Sequence, residues 1–412
     1  MGGYEENKIL VNKKFLCFHY KYLNSYNSEV KDQIMWALTN ITCENIEFRN
    51  ILFTSPILER IQVITYNALN HRDLNLLKIC SNFLLFSLNY DKVTNEFSDI
   101  LMKIAFILKD LILNTSGEIY SNSLWALLHI GNIQDKNIPQ KLYKKLITKN
   151  PDMLIKILSI DFDNLKTELI STIRIIGNLL SIDDEEFIYY VLNFNIFSFF
   201  DKILSTEKNK KIKQEIIWAT SNIIKQKSKL FIKNLVESNL YNRISQIAND
   251  YDPNLKKEAV LFIYEICINT HFNISTELIK KGTFRILTDL LEISSDHQII
   301  LNCLEAIDKI LASGEFLKTV LKGNTIANKF EAVGGLECLE KFQLHMNIKI
   351  YEKAMDIIEK YFQSSYSENM LSLSSKHADI NEDRDYEKNT HLMEYEEGSG
   401  IKNYSSFNYE MN

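Results

Sequence analysis

The chain has 412 residues, 46% of them hydrophobic, with only 12 Gly and 4 Pro and a formal net charge of -6. Helix breakers this sparse make the chain read as nearly all helix, in two or three domains or in one extended repeat array. The acidic balance, with a pI of about 5.9, excludes nucleic-acid binding through a basic face. No apolar run nears the roughly 18 residues that a membrane span needs, so a soluble intracellular protein is expected.

In chain order, MGGYEENK is too polar for a secretory signal, and Glu6 stands where a myristoylation signal needs Ser or Thr. Residues 1–8 read as an N-terminal extension. QIMWALTN ends at Asn40, with Trp36 one helical turn earlier. EFRNILFTSPILERIQVITYNAL follows, with apolar residues at three- and four-residue spacing, and closes on a polar turn at His71, Arg72 and Asp73. Then come LLKICSN ending at Asn82, SLWALLH ending at His129 and IRIIGN ending at Asn178. EIIWATSN ends at Asn222, AVLFIYE at Glu265 and CLEAIDK at Lys309. Successive ends lie 42, 47, 49, 44, 43 and 44 residues apart, which brackets the roughly 40 to 47 residue period of armadillo and HEAT repeats. Units of this kind cannot bury their own apolar faces, so they stack into a solenoid with one continuous core. After Phe362 the composition turns to Ser, Asn, Glu, Asp and Tyr, and residues 364–412 read as a disordered acidic tail.

Stacking sets the motif helices side by side. Residues four apart share a helix face, so Trp36 with Asn40 and Trp218 with Asn222 would repeat as a ladder. Asn amides can hold an extended peptide by its backbone, and slots between indoles attract Lys or Arg stems and heads. Asp32 and Glu44 flank Trp36, Glu215 precedes Trp218, and Glu258 precedes Leu261, so each could meet a cation. Taken singly, either Trp reads as core packing and each carboxylate as a solvated face. Their conjunction in one repeat register favours a basic peptide as ligand.

These residues resemble importin-alpha, the armadillo adaptor for nuclear-localisation-signal cargo. WALTNITCENIEFRNIL, SLWALLHIGN and IRIIGNLLSIDDE are similar to successive repeats of that family, and EAVGGLECLEKFQLHMNIKIYEKAMDIIEKYF to its closing repeat. The resemblance implies a right-handed armadillo solenoid of three-helix repeats, about eight of them over residues 9–363. It also implies two basic-peptide sites. The major one would take Trp36, Asn40, Glu44, Asn82 and Trp125, with Lys78 where a Trp belongs, a charge that would repel a basic peptide. The minor one would take Arg174, Asn178, Glu215, Trp218, Asn222 and Glu258, with Leu261 for Trp and Glu265 for Asn, and is the better preserved of the two. Further implied are importin-beta as partner, an export-factor contact at the closing repeat, and shuttling between cytoplasm and nucleus. The family's basic importin-beta-binding arm and two front repeats have no counterpart before ILVNKKFLCFHYKYL, which leaves Phe15, Phe18, Tyr20 and Tyr22 to cap that end.

No phosphate loop, dinucleotide fingerprint, nucleophile elbow or zinc spacing occurs, and His19 and His129 are lone residues, so no enzyme, cofactor or metal is expected. The six cysteines form no CxxC pair and read as core thiols of a reducing compartment. Two readings stand: an import receptor with a working groove, and an armadillo scaffold whose groove is a relic.

Overall fold

The computed structural model describes residues 13–44, 46–89, 97–160, 166–321 and 325–362. Among the described residues there is helix and no strand. The helices carrying the sequence motifs are called α1 (Ser28–Glu44), α2 (Leu74–Leu88), α3 (Gly117–Gly131), α4 (Lys166–Leu180), α5 (Lys210–Lys225), α6 (Pro253–Ile268), α7 (His297–Leu321) and α8 (Ile348–Tyr361). Each packs along the next, from α1 through α8, so the sequence period becomes an uninterrupted ladder. Shorter helices join them, as in the pair Lys229–Glu237 and Asn239–Ile247 ahead of α6, which completes an all-α armadillo solenoid of three-helix units.

Local chemistry sets the breaks. The long run after Asn40 divides at Ser55, whose hydroxyl oxygen accepts from the Ile57 amide at 3.3 Å ahead of Pro56, a residue suited to a first helical position. The expected turn at residues 71–73 is present. Arg72 adopts a left-handed conformation with φ of 55°, and the Asp73 carboxylate caps α2 by accepting from the Leu76 amide at 3.1 Å. Asp252 followed by Pro253 starts α6 in the same manner, with a 3.0 Å bond from the Leu255 amide.

The core is a continuous aliphatic seam. Leu127, Ile176, Ile216 and Ile263 are fully buried on four successive ladder helices. Each contributes on the order of 1.5 to 3 kcal/mol by leaving water. Ion pairs tie unit to unit: Lys210 to Asp252 at 2.8 Å, Arg243 to Asp201 at 2.5 Å and Lys257 to Asp296 at 2.8 Å, with Lys144 paired to Asp184. All join residues about one repeat apart, and each has at least one solvent-exposed or part-exposed partner, where water screens the attraction. Their effect is to fix register rather than to supply bulk stability.

Two expectations are corrected. Cys80, Cys267, Cys303 and Cys338 are core thiols, but Cys17 and Cys43 are exposed. Phe18, Tyr20 and Tyr22 do not cap by burial, since helix Lys13–Leu23 turns them outward. The chain divides into a unit Met1–Tyr361 and a unit Phe362–Asn412. The N-terminal extension and the acidic tail expected from the sequence lie outside the described residues.

Candidate functional site

Asp32, Trp36 and Asn40 recur every four residues on α1 and so share one face. Trp36 is 64% exposed, so it is not core and its indole faces solvent beside α2. Opposite it, α2 presents Ile79, Asn82 and Phe86. Together these six residues, with Gln33, Thr39 and Cys43, line an open cavity of about 660 Å³ between the two helices. Asn40 is exposed and its side chain makes no hydrogen bond among the described residues, so its side-chain amide can both donate and accept. Asn82 is half engaged, its side-chain oxygen accepting from the Asn122 amide of α3 at 2.7 Å.

Asp32 is the charged residue of this cavity. Its Oδ1 is shut off from solvent and has no hydrogen-bond partner. Desolvation, then repulsion from Asp73 and Glu29, raises its carboxyl above the ordinary value of 3.8, only partly offset by Lys31. Lys78, which stands where the resemblance places a Trp, is not in this cavity. Its ammonium pairs with Glu118 at 2.7 Å, so its charge is compensated rather than presented to a peptide. Glu44 ends α1, and its side chain lies outside the described residues. Trp125 is half-buried on α3, one turn beyond Asn122, and does not line the cavity.

The α4–α6 half is organised differently. Arg174 grips Glu215 through two parallel hydrogen bonds, Nε at 2.9 Å and Nη2 at 2.6 Å. This fork geometry already neutralises the carboxylate expected to receive a peptide cation. Asn222 is 4% exposed. Its Nδ2 donates to the Gly177 carbonyl at 3.0 Å, and its Oδ1 accepts from Lys225 at 3.2 Å. Trp218 is 37% exposed because one ring face lies on Gly177, where a Cβ would overlap its Cζ3 and Cη2. Asn178 reaches the Asn132 side chain at 3.5 Å. Glu258 is exposed and makes no ion pair among the described residues, and partial desolvation of its carboxyl raises it above the ordinary value. Leu261 beside it is exposed as well.

Ile79, Phe86, Asn122 and Gly177 belong to this face and are absent from the sequence-derived set. Phe86 sits one turn after Asn82, and that spacing is the signal that points to it. Gly177 immediately precedes a motif Asn, which marks a close helix approach.

An array of stacked three-helix units with an exposed aromatic and amide face defines an armadillo-repeat protein. Residues 324–374 match the family described as "Atypical Arm repeat". The chain is 25% identical over 377 residues to importin subunit alpha-1b of Oryza sativa subsp. japonica, covering 90% of this chain and 67% of that protein. It is 24% identical over 351 residues to importin subunit alpha-8 of Arabidopsis thaliana, covering 85% and 76%. An 87-residue stretch is 44% identical to importin subunit alpha of Saccharomyces cerevisiae, covering 21% and 16%. Among solved structures, a computationally designed armadillo repeat protein for modular peptide recognition aligns with a TM-score of 0.49 at 21% identity, over 62% of this chain and 99% of that one. Within the armadillo class this is an importin-alpha-like protein, spanning 67% and 76% of the length of the two relatives matched over most of this chain.

Proposed function

We propose that this protein is a nuclear import signal receptor. It binds basic nuclear localisation signals of cargo proteins in extended form along the ladder face and links them to importin-beta, shuttling between cytoplasm and nucleus. It acts by binding alone. The observation that carries the reading is the α1–α2 cavity, where an exposed Trp36, an uncommitted Asn40 and an unpaired Asp32 supply an aromatic wall, a backbone anchor and a negative charge. Names of two similar proteins, importin subunits alpha matched over 90% and 85% of this chain, point the same way. The front half is the principal site in this reading, since Glu215 and Asn222 are already satisfied within the protein.

Anisotropy titration of labelled single-cluster and two-cluster basic peptides tests this. Expected are micromolar or tighter binding that weakens with added salt, an affinity loss of tenfold or more for Trp36→Ala, and little gain from the second cluster. Absence of binding to either peptide at low salt overturns the receptor reading. Co-elution with purified importin-beta, expected in the presence of peptide, tests the second half. A scaffold reading draws on the internally satisfied Arg174–Glu215 and Asn222 groups, and it predicts no peptide binding in either half.

A further inference from the structure

We propose that the exposed lysine row of helix Asn137–Lys149 is a docking surface for an acidic helix of a partner protein, one whose carboxylates recur every four residues. Residues 136–149 carry five lysines, Lys136, Lys141, Lys144, Lys145 and Lys149, and no acidic residue, in a chain whose net charge is -6. The helix buries Ile138, Leu142, Tyr143, Leu146 and Ile147, and the Tyr143 hydroxyl donates to the Leu127 carbonyl of α3 at 2.9 Å. That anchoring turns the opposite side outward, so Lys141, Lys145 and Lys149 stand exposed at i, i+4 and i+8. They follow one another at about 6 Å along a single ridge. The helix belongs to none of the ladder elements α1 to α8, so the inference stands apart from the receptor reading.

Elsewhere, exposed lysines meet a carboxylate of the neighbouring unit, as Lys210 meets Asp252 and Lys257 meets Asp296. On this helix Lys144 is answered by Asp184, whereas Lys141, Lys145 and Lys149 make no ion pair among the described residues. Nearby carboxylates do not fill the gap. Asp135 accepts from the Asn137 amide at 3.1 Å, Glu185 accepts from the Ser228 hydroxyl at 2.6 Å, and Asp152 on the next helix makes no ion pair with the row. Like charges one turn apart repel and weaken a helix, and a row of carboxylates relieves that repulsion. Rows at four-residue spacing on two helices lie alongside each other when the axes cross at about -50°, which makes an acidic helix the matching shape. This helix exposes no aromatic or aliphatic side chain to enter a bilayer or stack on a base, which favours a protein partner over a membrane or a nucleic acid.

The test titrates a labelled alanine- and glutamine-rich helical peptide carrying three glutamates at four-residue spacing. It is added at low salt to wild type and to a triple variant with Lys141→Gln, Lys145→Gln and Lys149→Gln. Expected are wild-type binding that weakens with added salt, a loss of about tenfold or more in the triple variant, and weaker binding of an isomeric peptide with its glutamates adjacent. Because the substitutions remove like charges from an exposed face, the urea midpoint should equal or exceed that of wild type, which separates a lost dock from lost folding. Affinity for a basic peptide should be the same in both proteins. Absence of binding to the acidic peptide by wild type, or equal binding by the triple variant, overturns the inference, and equal binding of the isomer refutes the helical spacing. Tighter binding of phosphatidylserine vesicles or of a single-stranded oligonucleotide than of the peptide, lost in the triple variant, assigns the row to phosphate groups and overturns it as well.

Discussion

Asn40 and Asn222 hold the same place in the repeat and have opposite circumstances. The first is exposed with its amide uncommitted, and the second is buried with both ends of its amide occupied. Their alanine variants should therefore separate. Asn40→Ala is expected to weaken basic peptides several-fold with an unchanged unfolding midpoint. Asn222→Ala is expected to cost about 1 to 3 kcal/mol of stability, because the Gly177 carbonyl loses a buried donor, with little effect on peptide affinity. Denaturant titration and anisotropy on both variants check this, and a large affinity loss in Asn222→Ala without destabilisation would contradict it. Gly177→Ala gains up to about 1 kcal/mol of helix propensity. It also drives a methyl into the rigid Trp218 ring, and overpacking of that kind costs about 1 to 3 kcal/mol, so the net change should be destabilising.

At the scale of elements, α8 is moored to α7 at one residue. Asp308 receives Lys353 at 2.5 Å, Lys360 at 3.3 Å and the Tyr361 hydroxyl at 2.7 Å. Burial alone would push the Asp308 carboxyl up, but these three donors together hold it below its ordinary 3.8. The same group raises the Tyr361 phenol, through burial first and then its bond to Asp308. Tyr361→Phe deletes a hydrogen bond to a charged acceptor and should cost about 1.5 to 3 kcal/mol, read in the urea midpoint.

Proton linkage follows from the signs. Asp308, Asp184, Asp252 and Asp296 are all held low, the last three chiefly by lysine hydrogen bonds, so the unfolded chain takes up those protons first. Their stabilisation is complete above the ordinary value and is lost as pH falls through the lower folded values. Asp32 and Glu258 are raised and run the other way, binding protons first in the folded chain. The urea midpoint should thus hold or rise slightly from pH 7 to about 5 and drop steeply below about 4. A monotonic fall from pH 7 would show that the raised carboxyls do not contribute.

On the scale of the whole ladder, each motif helix packs on its immediate neighbours in sequence. Stability in such an array is a sum of unit and nearest-neighbour contributions, so damage stays local until the array melts. Ending the chain after Asn347 removes α8 and its hold on Asp308. Amide exchange should then accelerate through α7 and the helices Thr325–Glu331 and Gly335–Lys341, while α1 to α3 keep their protection and the front slot keeps its peptide affinity. Uniform loss of protection from α1 to α7 would show long-range cooperativity instead.

Helical class and the place of the turns were legible in the sequence because one physical demand, an apolar face that no unit can bury alone, recurs at one period. That demand put Trp36 and Asn40 on one face and set Asp73 at a helix start. Partners across the ladder were not legible. Arg174 and Glu215 are 41 residues apart, and whether they meet depends on the register of α4 against α5, which no local spacing encodes. The same holds for Lys78 with Glu118 and for Asn222 with Gly177. The sequence by itself determined that Trp36 shares a helix face with Asn40, and Trp218 with Asn222. Only the tertiary structure decided which of them are spent on neighbouring helices and which, with Asn40 foremost, are left without a partner, because a polar group finds its partner only within about 3 Å and helix packing brings distant residues that close.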